Sequence, residues 1–133
     1  MKNEGVLISC DIHAHKLKLI EKGAFTFDEI YHIPMVVKGA GNKDNDSFVY
    51  LHELMPTLLD IAGVETPAPV DGASILPLMT GEEKDNGRTE VFCEYHNHFY
   101  IGRQRMVRDL DYQLTFNESE RGELYDLKKD PYQ

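Results

Sequence analysis

Apolar and polar positions follow two different periods along this chain, and the change comes near residue 89. From Phe48 to Ala62 the apolar residues fall at 51, 54, 55, 58, 59, 61 and 62, close to the 3.6-residue repeat of a helix. Pro56 interrupts that run unless the helix begins near His52 or Glu53. Proline then lies in the first turn, where N–H groups lack intrahelical partners in any case. Gly63 is placed to be the residue just past the helix end. Thr66 to Pro69 reads as an extended linker, and Ser74 is predicted to cap a short helix running through Met79. Before this region, Val6 to Cys10 is a continuous apolar run expected to form a buried strand. Phe27 to Tyr31 predicts one or two helical turns. Pro34 to Val37 predicts a second strand, with proline at its first position, where a missing N–H is tolerated. Residues 39–46 and 81–88 are loops by composition. From Thr89 onward the spacing shortens. Glu90–Tyr95, Arg105–Arg108, Tyr112–Phe116 and Glu123–Tyr125 predict successive short strands separated by turns, hence a small antiparallel sheet. There is no internal repeat and no low-complexity tract.

Composition narrows the class of protein. A chain of 133 residues fits one modest domain, and 41% hydrophobic with 28% charged residues is ordinary for a globular chain. The net charge of −9 disfavours nucleic acid or an anionic membrane surface as a partner. It suits an anionic substrate only where a cation intervenes or where the negative charge lies away from the pocket. No apolar run approaches the roughly 20 residues that span a bilayer. The opening Met1-Lys2-Asn3-Glu4-Gly5 runs straight into strand-like residues, without the pattern of a signal peptide. The two cysteines, Cys10 and Cys93, read as buried or half-buried thiols, and no Cys-x-x-Cys pair suggests a zinc ribbon.

Two clusters carry candidate chemistry. The first is Asp11-Ile12-His13-Ala14-His15, followed by Lys22-Gly23. A carboxylate just past a buried strand is well placed for a hard cation such as Ca²⁺ or Mg²⁺, because ligands gather beyond the C-terminal ends of strands in open α/β sheets. A lysine one loop away supplies a point charge for an oxyanion. The bland alternative is a solvated loop. The second cluster is Glu94-Tyr95-His96-Asn97-His98, with Arg103, Arg105 and Arg108 behind it. Residues at i and i+2 of a strand share a face, so Glu94, His96 and His98 are arranged as a shared metal site requires. A polar loop at a sheet edge, with the arginines pairing to nearby acids, explains the same residues.

A set of blocks in fixed order points further. These are Asp28-Glu29-Ile30-Tyr31-His32-Ile33-Pro34, Met55 to Gly63, Val70 to Met79, Gln104 to Arg108 and Gly122 to Pro131. Together they resemble the C-terminal part of a type I sulfatase, in the alkaline-phosphatase superfamily. The resemblance spans nearly the whole chain but only about the last quarter of a typical family member. It implies an α/β fold: part of a mixed or parallel sheet with helices over residues 1–87, then a small antiparallel sheet subdomain over 88–133. It also implies that the complete protein is a sulfuric ester hydrolase acting on a sulfate ester of a small molecule or glycan, with Ca²⁺ or Mg²⁺. Asp11 matches the family's metal-binding Asp, and Lys22 matches its sulfate-binding Lys. His13 stands near a second metal ligand, although one position late, and His15 near the loop His that precedes the Lys. The Glu-Tyr-x-x-His-like turn that reaches the pocket rim corresponds to Glu94 to His98, which makes His96 and His98 substrate contacts.

The departures matter as much. The family's Asp-His-Gly-Asp is here Asp11-Ile12-His13-Ala14, without the glycine. Neither Cys10 nor Cys93 sits in the Cys-x-Pro/Ala-Ser-Arg motif that yields the formylglycine nucleophile. The chain by itself is therefore expected to be inactive. Two other readings stay open: a non-catalytic module that self-associates or binds a partner through an exposed core face, and a phosphoesterase or phosphonate hydrolase portion of the same superfamily.

Overall fold

A computed structural model describes the backbone of residues 7–10, and residues 31–38, 44–67, 69–96, 102–118 and 121–130. Strand β1 (Leu7–Cys10) pairs with β2 (Met35–Lys38) in a two-stranded sheet. The chain divides into two compact units. The described part of the first holds the helices; that of the second holds a four-stranded sheet. Each strand lies within one or two residues of its expected place. Of the expected helical turns at Phe27–Tyr31, only Tyr31 lies among the described residues, and it is helical. Among the described residues no helix is long and apolar enough to cross a membrane.

The helical unit is built around a 3₁₀ turn, Leu51–Glu53, that runs directly into α1, Leu54–Ile61. Pro56 falls in the first turn of α1, as the pattern requires. The helix ends in a Schellman motif. Gly63 has φ +68°, its N–H donates to the carbonyl of Asp60 at 3.0 Å, and the Val64 N–H donates to that of Leu59 at 2.9 Å. Helix α2, Leu76–Thr80, ends on Gly81 with φ +79°. Ser74 stands one residue before its N-cap. The Ser74 hydroxyl accepts the Leu76 N–H at 3.2 Å and donates to Asp60 Oδ2 at 2.6 Å, so it ties α2 to α1 as well as starting it.

The apolar positions that give α1 its helical period do not form its buried side. Leu51, Met55, Leu58 and Ile61 are exposed, whereas Glu53, Pro56 and Thr57 are buried. The buried side of α1 is the side bonded to its neighbours in the unit. Thr57 Oγ1 donates to the Glu53 carbonyl at 2.6 Å and accepts the Ile75 N–H at 3.0 Å. Gly72 lies so close that a Cβ there would meet the His52 carbonyl oxygen at 2.9 Å. The Pro56-Thr57 and Asp71-Gly72 blocks are thus two sides of one packed joint.

In the second unit β3 (Val91–His96), β4 (Arg103–Arg108), β5 (Tyr112–Asn117) and β6 (Glu123–Asp126) form an antiparallel meander in sequence order. Asp109 closes the β4–β5 turn, its Oδ1 accepting the N–H groups of Asp111 at 2.7 Å and Tyr112 at 2.6 Å. Asp126 makes the turn after β6: its Oδ1 accepts the Lys128 and Lys129 N–H groups at 3.2 Å, and its carbonyl accepts the Asp130 N–H at 2.8 Å. The Leu127 N–H then bonds the Asp111 carbonyl at 2.9 Å, joining the two turns at one end of the sheet. This accounts physically for the Tyr125-Asp126-Leu127-Lys128-Lys129-Asp130 block.

Register puts Cys93, Met106 and Thr115 on one face, with Tyr95, Gln104 and Asn117 in the next row. That face is the buried one: Met106, Gln113, Thr115 and Asn117 are all buried. The opposite face carries Phe92, Val107, Leu114 and Leu124 in one row across all four strands.

Candidate functional site

Of the residues expected to carry chemistry, Asp11, His13, His15, Lys22 and His98 lie outside the described residues. What the structure does place is the strand end before Asp11, since β1 closes at Cys10, and the cluster around Glu94 and His96.

Glu94 and His96 are two positions apart on β3 and share the outer face of the sheet. Alternation along the strand gives that much. The register adds what alternation cannot, by setting Glu94 opposite Arg105 and His96 opposite Arg103 on β4. The Glu94 carboxylate is shared: Oε1 accepts Arg105 Nε at 2.8 Å, and Oε2 lies 3.1 Å from His96 Nε2. Hydrogen bonds from His96 and Arg105 hold the Glu94 carboxyl below the usual carboxylate range. Arg103 reaches Glu118 at 4.0 Å. His96 and Arg105 are more than half exposed, so the cluster is open to a ligand from solvent.

This geometry argues against a cation at Glu94. A metal ion needs both carboxylate charge and ring nitrogen unopposed. Here the Arg105 guanidinium holds one oxygen of Glu94, and His96 lies at the other. Among the described residues no group of three His, Cys, Asp or Glu side chains comes close enough to hold a metal ion. The cluster instead presents two guanidiniums and an imidazole on one edge of the outer face, with Glu94 orienting His96 and Arg105. That is an arrangement for an anionic or polar ligand. Arg105 is the residue that sequence reasoning left as a simple salt-bridge partner. Its signal was present only as a cross-strand pairing, which needs the register.

On the other face of the sheet Cys93 is a free, half-buried thiol, and burial pushes its pKa up, so it is the protonated, unreactive form at neutral pH. Burial, with Cys93 and Tyr95 nearby, likewise raises the Tyr31 phenol. Burial and the hydrogen bond to Glu123 push Tyr125 up to about 12. None of these groups is poised for proton transfer near neutral pH.

The helical unit holds the strongest electrostatic feature. Glu53, 1% exposed, takes a two-pronged contact from Arg88, at 2.7 and 3.1 Å, and the Tyr50 N–H at 2.7 Å. Arg88 lies over the Tyr50 ring, 4.5 Å from its centre, and Tyr50 stacks on His52. Arg88 and Asn86 both donate to the Phe48 carbonyl at 2.8 Å. Burial acts to raise the Glu53 pKa, but the Arg88 and Tyr50 donors outweigh it and the net direction is down. Every oxygen of that carboxylate is occupied, which marks it as a structural anchor and not a reactive group.

Comparison with known proteins agrees with the blocks in the sequence. The family model for N-sulphoglucosamine sulphohydrolase, C-terminal, matches residues 18–133. A Delta 4,5-hexuronate-2-O-sulfatase of Bacteroides thetaiotaomicron is 33% identical over 123 residues, covering 86% of this chain and 26% of the relative. A solved protein bound to its substrate D-glucosamine-2-N,6-O-disulfate superposes with a TM-score of 0.70 at 27% identity, over 80% of this chain and 24% of that one. A phosphonate monoester hydrolase of Agrobacterium radiobacter superposes with a TM-score of 0.72 at 26% identity, over 86% of this chain and 26% of that one. The chain thus spans about a quarter of the length of each of these relatives.

Proposed function

The chain belongs to the sulfatase family, as a C-terminal portion of it, and from that premise we propose that the complete protein is a sulfuric ester hydrolase acting on a sulfated sugar. In this reading residues 1–87 are the end of the α/β core and residues 88–133 the antiparallel subdomain. Asp11 and His13 hold a divalent cation, Ca²⁺ or Mg²⁺, whose charge, when bound, stabilises negative oxygens on the ester. A single carboxylate and one imidazole fall well short of the six to eight oxygen ligands that Ca²⁺ takes, so the remaining ligands come from elsewhere in the complete protein. Lys22 holds the sulfate as a point charge, and His15 serves beside it as a proton carrier for the leaving oxygen. His96 and His98 contact the sugar at the pocket rim, with Glu94 and Arg105 fixing the His96 ring.

The observation that carries this reading is the match of fold and motif blocks together with the exposed stripe of α1. Leu51, Met55 and Leu58 form a helix-period apolar face that is exposed, as expected of a surface that the other three quarters of the enzyme covers. The two sulfated-sugar relatives make a sulfated glycan the favoured substrate class. The phosphonate hydrolase neighbour supports a second reading, a phosphoryl or phosphonyl ester, since the same C-terminal architecture serves both.

A chimera tests the assignment. This chain replaces the matching segment of the hexuronate-2-O-sulfatase, and hydrolysis of a 2-O-sulfated disaccharide is measured. The chimera is expected to turn over, and Lys22→Ala to lower kcat/KM by on the order of 10²-fold. The 133-residue chain alone is expected to show no turnover with added Ca²⁺, having no nucleophile motif. Turnover by the chain alone, or a chimera indifferent to both Lys22→Ala and Asp11→Ala, overturns the proposal.

A further inference from the structure

The loop over residues 81–88 contains the chain's one Asn-Gly pair, Asn86-Gly87. A polypeptide modifies itself most readily at such a pair. The Gly87 backbone nitrogen, once it gives its proton to hydroxide, can attack Asn86 Cγ and expel the side-chain nitrogen as ammonia. The new N–C bond closes a five-membered succinimide. Water then opens either carbonyl of the ring, leaving aspartate or isoaspartate at position 86. Glycine favours the step because no Cβ obstructs the approach. Gly87 is exposed, has φ +68°, and nothing lies within 4 Å of the place a Cβ would take.

The fold holds both reacting groups. The Gly87 N–H donates to Asp85 Oδ1 at 2.9 Å, and a carboxylate there opposes the negative nitrogen that attack requires. The leaving nitrogen, Asn86 Nδ2, donates to the Phe48 carbonyl at 2.8 Å, and Asn86 Oδ1 accepts the Arg88 N–H at 3.2 Å. These two bonds fix the carboxamide at both ends, so it cannot turn its face to the Gly87 nitrogen without breaking them. Arg88 Nη1 shares the Phe48 carbonyl at 2.8 Å and reaches Glu53 Oε2 at 3.1 Å. The restraint on Asn86 and the Glu53–Arg88 anchor therefore meet on one carbonyl oxygen.

We propose that Asn86 is a deamidation site whose rate is set by opening of the 85–88 loop and whose product loosens the Glu53–Arg88 anchor. Where opening and closing are fast relative to ring closure, the rate in the folded chain is the unfolded-chain rate multiplied by the open fraction. The step consumes only water, with hydroxide as the base. Its product has no donor for the Phe48 carbonyl and sets a carboxylate against it. That carboxylate also competes with Glu53 for Arg88, and isoaspartate adds a methylene to the main chain two residues before Arg88. The modified loop opens more readily, and the released ammonia makes the change one-way. The inference rests on the bonds of the helical unit and does not depend on the sulfatase reading.

The 133-residue chain, held in mildly alkaline buffer and digested at intervals, is read by mass spectrometry for exchange of the side-chain NH₂ for OH, with isoaspartate scored by fragmentation. Position 86 is expected to convert ahead of Asn42, Asn45 and Asn97, none of which precedes glycine. Conversion is expected to be at least tenfold slower in the native chain than in the same chain unfolded in urea. Asp85→Ala frees the Gly87 N–H and Arg88→Met opens the anchor. Each is expected to raise the native rate several-fold relative to that variant's own rate in urea. Circular dichroism checks that both variants fold, and Asp85→Ala, at an exposed position, carries the test if Arg88→Met does not. Asn86→Asp, which supplies the product without the longer main chain, is expected to lower the denaturant midpoint. Another asparagine converting first, a native rate equal to the rate in urea, a native rate indifferent to Asp85→Ala, aspartate formed without isoaspartate, or an Asn86→Asp variant as stable as the parent each overturns the proposal.

Discussion

The helical unit and the sheet unit both bury polar side chains, but they do so by opposite means. In the helical unit the buried polar groups are saturated. Glu53 has a donor on each oxygen, and Thr57 both donates and accepts. In the sheet unit the buried face carries Gln113, Thr115 and Asn117, while the apolar partners Leu114 and Phe116 point outward. Two acceptors on that face, Gln104 Oε1 and Asn117 Oδ1, have no hydrogen-bond partner among the described residues. The contrast separates what each unit depends on. The helical unit is held by a few irreplaceable bonds. The sheet is held by a continuous backbone ladder across its four strands.

The hardest test of that contrast is Arg88→Met. It leaves Glu53 buried without its partner, and breaking one side of a buried pair costs about 3 kcal/mol or more. Denaturant unfolding, followed by far-ultraviolet circular dichroism, is expected to show the loss. A loss below about 1 kcal/mol means the pair behaves as a surface bridge and the contrast fails. Acid adds a second reading of the same pair. The Glu53 pKa is lowered in the folded chain, so its contribution is present above the ordinary glutamate value of 4.5 and is lost as pH falls through the lower folded value. The surface carboxylates Glu94, Asp109 and Asp126 are shifted in the same direction, but they are exposed and screened by salt. Unfolding measured at neutral and acid pH in about 1 M salt, where the screening length is about 3 Å, is expected to retain the part of the acid sensitivity that Glu53→Gln removes. If Glu53→Gln leaves that sensitivity intact, the anchor lies elsewhere.

Thr57→Val comes next. It keeps the shape and deletes the hydroxyl, stranding the Ile75 N–H. An unsatisfied buried donor costs about 1–3 kcal/mol, and a change below that range means the joint between α1 and the Ile75 segment relaxes around the loss. Gly63→Ala is smaller still. The residue sits at φ +68° with open space around its Cα, so the cost is conformational alone, about 1–2 kcal/mol. A stabilised Gly63→Ala variant contradicts the left-handed helix end.

Pro56 and Gly63 were legible in the sequence because first-turn proline and terminal glycine obey local rules that need no tertiary partner. Glu53 was not. A glutamate in the first turn of a helix reads as a solvated residue favoured by the helix dipole, and the arginine that buries it lies far along the chain at position 88. The outward orientation of the apolar stripe on α1 was not legible for a related reason. Periodicity tells which positions share a face, not whether this polypeptide supplies something to cover it. In β5 the alternation correctly marked a strand, yet the choice of inner face rests on what the two faces meet. The Glu94–His96 pairing followed from spacing, whereas the Arg105 guanidinium that occupies the other oxygen of Glu94 required the register between β3 and β4. Asp11, His13, His15 and Lys22 rest on the motif resemblance and on the end of β1 at Cys10.

Arg105→Ala marks the small end of the scale for folding and separates stability from recognition on the same sheet. The Arg105–Glu94 pair is well exposed on both sides, and such pairs contribute little to folding because water and salt screen them and two long side chains must be ordered. The variant is therefore expected to unfold at the same denaturant concentration as the parent. Its effect belongs to the ligand. Without the guanidinium, Glu94 loses the contact on Oε1 that fixes it, and the imidazole of His96 loses a fixed partner in turn. In the sulfated-disaccharide assay of the chimera, KM is expected to rise several-fold with kcat held, the signature of lost binding shared by ground and transition states. Arg105→Lys keeps the charge but not the planar Nε contact, so it is expected to recover only part of the loss. An unchanged KM in both variants places the Glu94–His96–Arg105 cluster outside the substrate path. A large loss of stability in Arg105→Ala instead shows that the sheet, like the helical unit, leans on a single side-chain bond.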